Sequence, residues 1–149
     1  MPIKLDAPIV QTFILEESDK TYGIEAEDEP TEVVIRKATQ GQHEERQQLF
    51  ATLERRYNDL APEQTSLVQT ANTEELKRKE VSLTLVECNI TRDDGKPLFR
   101  TRKGKDGLPE LDMTRQQFYE AWALLPPDVA SEIHRKVLEV NVMWGPRGG

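Results

Sequence analysis

The side chains able to do chemistry are few and poorly spaced for it. His43 and His134 are the two histidines, and they fall on separate expected helices. Neither has a cysteine, a second histidine or a carboxylate at a metal-ligand spacing. Glu44 and Glu45 follow His43, a neighbourhood that any Glu-rich helix produces, so both histidines read as surface residues. The single cysteine, Cys88, lies in an apolar run and reads as a small buried hydrophobe. Alone it builds no internal disulfide and no cysteine-rich zinc finger. Ser66, Ser82 and Ser131 lack the Gly-x-Ser-x-Gly turn that lifts a nucleophilic hydroxyl out of a sheet. Gly145-Pro146-Arg147-Gly148-Gly149 has neither the Gly-Lys-Ser/Thr nor the following helix of a phosphate loop. The acids of residues 16–32 miss the alternation and central glycine of a calcium loop. The expectation is a protein without catalytic residues, metal or cofactor.

Charge and length narrow the partners. The chain has 149 residues, with 20 Lys+Arg against 27 Asp+Glu, a net charge of −7. A net acid is a poor general binder of nucleic acid or of an anionic membrane. The densest apolar run, Val81-Ser82-Leu83-Thr84-Leu85-Val86, is far short of the ~20 residues of a membrane span. Met1-Pro2-Ile3-Lys4-Leu5-Asp6 has no apolar stretch of signal-peptide length. A lone thiol then suits a reducing cytoplasm. Mean hydropathy is −0.67, yet a single domain of this length buries a core without staples.

The elements that must position these residues read as α+β, mainly α. Over 1–38, the clusters Ile9-Val10, Phe13-Ile14-Leu15 and Val33-Val34-Ile35 predict a small N-terminal antiparallel β meander. Residues 16–20 and 25–30 read as polar turns, and their acids as either solvated loop or a docking face for a basic partner. Residues 39–90 read as helical. Thr39 and Gln42 form a capping box, and Leu49, Leu53, Tyr57 and Leu60 make one stripe with Phe50 beside it, ended by Asn58, Asp59 and Pro62. Leu67 and Val68 suit a short helix opened by Pro62. Residues 73–90 lean to helix through their Lys/Glu-rich lead-in, while Val81, Leu83 and Leu85 alternate as a strand would. Residues 91–112 read as a basic flexible loop with a turn at Arg92-Asp93-Asp94-Gly95-Lys96-Pro97. Residues 113–149 read as a helical hairpin and tail, capped by Thr114 and Gln117 and broken by Pro126 and Pro127.

Without a chemical signature, the binding surfaces carry the reading. Phe118 with Trp122, and Ile133 with Val137, form stripes that serve either as core or as one wall of a groove for a partner helix. Met143 and Trp144 either fold back onto the core or stay exposed for the same partner. Arg100, Arg102, Lys103 and Lys105 make the one basic patch, which suits solvent, an acidic protein surface or nucleic acid; Phe99 alone is thin aromatic support for the last.

One arrangement of residues is similar to a known family. A β-rich, acidic start leads into Glu32-Val33-Val34-Ile35-Arg36-Lys37-Ala38-Thr39-Gln40-Gly41 and a helix through Glu44-Glu45-Arg46. Val81-Ser82-Leu83-Thr84-Leu85-Val86-Glu87-Cys88-Asn89-Ile90 follows, then a basic loop. Phe118-Tyr119-x-x-Trp122, Leu125-Pro126-Pro127-Asp128-Val129 and Val137-Leu138-Glu139-Val140-Asn141-Val142-Met143-Trp144 close it. Over roughly residues 30–144 the chain resembles the tail assembly chaperones of long-tailed bacteriophages. That resemblance implies a non-enzymatic protein of the bacterial host cytoplasm. It would bind the long helical tape measure protein and keep it soluble while tail tube protein polymerises around it, and be absent from the mature virion. It also implies self-association or a frameshifted longer form, and no nucleic-acid or membrane partner. The other reading is a structural tail or neck component retained in the virion.

Overall fold

The computed structural model describes residues 2–3, 9–58, 65–105 and 107–145. It is an α+β fold in which a small antiparallel sheet packs against a helical body. The sheet has the order β1-β2-β3, from Val10–Ile14, Glu32–Arg36 and Leu85–Cys88. The first two strands are those expected near the N-terminus; the third arrives only after two long helices. A bulge between Val34 and Ile35 adjusts the register of β2 against β3. Val33, Ile35, Leu85 and Cys88 are buried on this sheet and meet Ile133 and Val137 in one core.

Local chemistry explains most element ends. Helix α2 (Gln40–Asn58) starts at a capping box: Thr39 Oγ1 accepts from the Gln42 N–H at 3.2 Å and Gln42 Oε1 accepts from the Thr39 N–H at 3.0 Å. The same reciprocal pair, Thr114 with Gln117, opens α4 (Arg115–Trp122). Pro127 takes the first position of α5 (Pro127–Val140), where a missing N–H costs nothing. Helix α3 (Thr65–Thr84) runs straight into β3, with the Thr84 hydroxyl donating back to the Glu80 carbonyl at 2.8 Å. The helix expected over 73–90 therefore stops at Thr84, and the strand begins only at Leu85, so Val81 and Leu83 of the alternating set are helical. Helix α3 also takes in Leu67 and Val68; Leu60, Asp59, Pro62, the first residue and the Gly148-Gly149 end lie outside the described residues.

Two segments depart from the expectation. Residues 16–20, read as a turn, lie in a helix, α1 (Glu16–Thr21). Its cap comes from far away: buried Glu132 accepts from the Ser18 N–H at 2.8 Å, the Ser18 hydroxyl at 2.6 Å and the Glu17 N–H at 3.2 Å. A carboxylate at these free donors satisfies the helix start and faces its positive end. Residues 91–112, read as a loop, carry a hairpin, β4 (Thr101–Lys103) with β5 (Pro109–Leu111). Leu98 and Phe99 pin it, because Phe99 lies 5.4 Å from Phe118 inside the core. Gly107 takes positive φ at its turn and Gly95 at the separate turn that starts at Arg92, a conformation that side chains tolerate poorly.

Three helices meet at one buried carboxylate. Glu80 on α3 is 2 % exposed; it accepts from Arg46 Nε on α2 at 2.9 Å and lies 2.6 Å from His134 Nε2 on α5. Removing one member leaves a buried charge without a partner, which costs about 3–5 kcal/mol. Glu80→Ala should lower unfolding stability by that order in urea titrations. Adding Arg46→Met in the same chain should recover part of the loss, because the orphaned guanidinium goes with it. Equal stability of the Glu80→Ala chain and the parent would show that the junction contributes nothing.

Candidate functional site

The groups with chemical potential are committed to the fold. His43 is half-buried, and its Nδ1 accepts from Trp144 Nε1 at 3.0 Å; His134 is held by Glu80. The expectation of two free surface histidines is thus corrected: each is only partly exposed, and another element supplies a partner for its ring nitrogen. Cys88 is buried, and burial pushes its thiol up to about 11. Among the described residues no group of three or more His, Cys, Asp or Glu side chains could hold a metal ion.

The residues expected to bind a partner do not share one surface. Phe118 stacks on Trp122 with ring centroids 6.2 Å apart, and both are core. Ile133 and Val137 are fully buried under the sheet, and Trp144 is buried against α2 with the Arg46 guanidinium 5.9 Å from its ring. These five side chains hold this chain together. Met143, 61 % exposed, is the one of the six left open. In the basic segment, Arg100 donates to Gln117 at 3.1 Å. Arg102 pairs with Glu110 at 2.9 Å and with Asp112 at 3.5 Å, so the hairpin neutralises it. Lys103 is exposed on β4.

Among the described residues, one partly open apolar surface lies between α2 and α3. Phe50, Leu53, Glu54 and Tyr57 on α2 face Asn72, Thr73 and Leu76 on α3 across a groove of about 290 Å³. Leu53 is its buried floor; Phe50 and Tyr57 are 42 % and 36 % exposed at its edges. Asn72 Nδ2 donates to the Leu53 carbonyl at 3.0 Å and fixes the spacing of the two helices. Arg56 and Glu75 pair at 3.1 Å beside it. The Arg46 guanidinium lies 5.3 Å from the Phe50 ring, which ties that wall to the buried Glu80 junction. The sequence signalled these residues as a stripe. It did not say that α3 covers only the Leu53 side of it.

No known protein family, no curated protein and no solved structure matches the chain.

Two measurements test this placement. Cys88 should resist alkylation in the native protein at pH 8 and react quickly in urea. With the folded thiol held near 11 and the unfolded one near 9, the unfolded chain loses its proton first, so stability should fall between those values. Fast native labelling at pH 8 would refute the burial. Separately, Phe50→Ala and Tyr57→Ala should each cost less than about 1 kcal/mol, as surface changes do, whereas Leu53→Ala should cost about 2–5 kcal/mol. Equal costs at the three positions would mean that the groove is closed in solution.

Proposed function

We propose that this protein is a tail assembly chaperone of a long-tailed bacteriophage, a non-enzymatic partner of the tape measure protein in the bacterial host cytoplasm. One observation carries the reading: an apolar groove between α2 and α3 whose walls, Phe50 and Tyr57, stay partly in water. A helix rises about 1.5 Å per residue, so the seven-residue step from Phe50 to Tyr57 spans about 10 Å. That length takes apolar side chains at i and i+4, or at i and i+7, of a guest helix. A tape measure is a long amphipathic helix, and its apolar stripe repeats such anchors many times.

Energetics favour many weak contacts. The groove is small, and one guest helix across it gains little beyond the cost of association. Copies arrayed along a single long helix gain through avidity instead. At −7 per copy, coated complexes repel one another. Tail tube subunits polymerising on the same helix can displace weak individual contacts without nucleotide hydrolysis. Exposed Met143, next to Val142, offers a second apolar contact outside the groove.

The test is co-expression with the tape measure protein of the same phage. The parent chain should raise soluble recovery of that protein severalfold. The Phe50→Ala/Tyr57→Ala double variant should fold normally and lose most of that effect, and Met143→Ala should lose less. Full protection by the double variant, or tape measure protein equally soluble alone, would overturn the groove as its binding site. Finding this chain in purified virions at structural copy number would replace the reading with that of a tail or neck component.

A further inference from the structure

Among the described residues the sheet ends in an edge, the outer side of β1, that no other strand covers. The Lys37 N–H donates to the Ile9 carbonyl at 2.8 Å and the Leu15 N–H to the Thr31 carbonyl at 2.9 Å, which fixes the phase of the ladder. Residues 9, 11, 13 and 15 therefore bond to β2, and the N–H and C=O groups of Val10, Thr12 and Ile14 point outward. Edge strands are ordinarily protected by a charge, a proline or a bulge. Residues 9–15 contain none of the three, although charged residues make up 32 % of the chain. Val10 and Ile14 are exposed β-branched side chains on this edge, with Thr12 between them.

We propose that the outer edge of β1 pairs antiparallel with β1 of a second copy about a two-fold axis through Thr12. The edge is complementary to itself. Pairing Thr12 with Thr12, and Val10 with Ile14 in both directions, uses every outward backbone group, and each of these pairs exchanges two N–H···O bonds. On the exposed face the two-fold puts Val10 beside Ile14 and hydroxyl beside hydroxyl. Charges also agree. Arg36 is the neighbour of Val10 within the chain and Glu32 the neighbour of Ile14. Each of the two outer cross-dimer rows therefore carries Glu32 from one copy and Arg36 from the other, while the central row sets Val34 of each copy beside the paired threonines. In a chain of net charge −7, an uncharged strand is a place where two copies meet at the least repulsion. Two short strands bury well under the ~1,200 Å² of a stable interface, so the dimer should depend on concentration.

The proposal stands apart from the chaperone reading, and its test uses the purified chain alone. Sedimentation equilibrium should show a monomer–dimer exchange as concentration rises from about 1 μM to about 1 mM. Thr12→Lys faces two ammonium groups across the axis and should raise the dissociation constant about tenfold or more. Thr12→Glu should do the same. An equimolar mixture of the two variants should regain a dimer at least as tight as the parent's, which no effect on folding could produce; unchanged circular dichroism confirms each fold. A parent chain that stays monomeric to about 1 mM would overturn the proposal. So would a dimer indifferent to both variants, or a mixture that fails to recover. Capture of an extended strand from another protein by a chain that never dimerises would equally remove the second copy as the occupant of the edge.

Discussion

Helices α2, α3 and α5 are held to one another at the buried side chain of Glu80. A carboxylate buried to this degree survives only with partners, and it has two: the Arg46 guanidinium from α2 and the His134 ring from α5. The attraction between them mostly offsets the cost of leaving water, so the gain is less in raw stability than in specificity. Only one mutual placement of α2, α3 and α5 satisfies all three groups. Arg46 then carries that placement outward, since the same guanidinium sits by Phe50 at the groove and by Trp144 at the folded-back tail. The width of the α2–α3 groove is thus set from within.

A second constraint closes the fold end to end. Helix α5 and the residues after it reach back to the first third of the chain through polar side chains. Glu132 caps α1; Asn141 accepts from the Ala38 N–H at 2.7 Å and donates to the Arg36 carbonyl at 3.1 Å; Trp144 donates to His43. Each bond joins residues more than a hundred positions apart. Such contacts close long loops before they return any energy, which favours a fold that forms late and all at once. They also leave the N-terminal strand covered on the core side alone.

What was legible in the sequence was what local chemistry decides. The boxes at Thr39 and Thr114, the prolines at 126 and 127, and the turn at Gly95 mark element ends by rules spanning four residues or fewer. Helix α1 was hidden because its cap is Glu132, 114 positions away from Ser18. Strand β3 was ambiguous because no glycine or proline separates it from α3. The candidate site suffered from the same gap. Phe118, Trp122, Ile133 and Val137 carry the strongest stripes and are therefore what the core takes first. Tyr57 sits on a weaker stripe with Phe50 beside it, and the position of α3 leaves both partly in water. Periodicity shows which residues want cover and leaves open which receive it.

The groove and the β1 edge differ in kind, and the difference suits different partners. The groove offers side-chain volume between helices and no free backbone, a shape that would fit an amphipathic helix. The β1 edge offers free backbone groups and a short flat surface, a shape that would fit an extended strand. Each is small enough for an acidic chain to stay in solution with both empty, since patches of a few hundred Å² are ordinary on monomers. They also lie on separate elements, one between α2 and α3 and the other at the sheet edge. In the proposed role, copies seated on one long helix would be held at a raised local concentration, where an edge contact too weak for free monomers is populated. Weakness at both surfaces then becomes useful, because each copy binds as part of a row and is displaced singly.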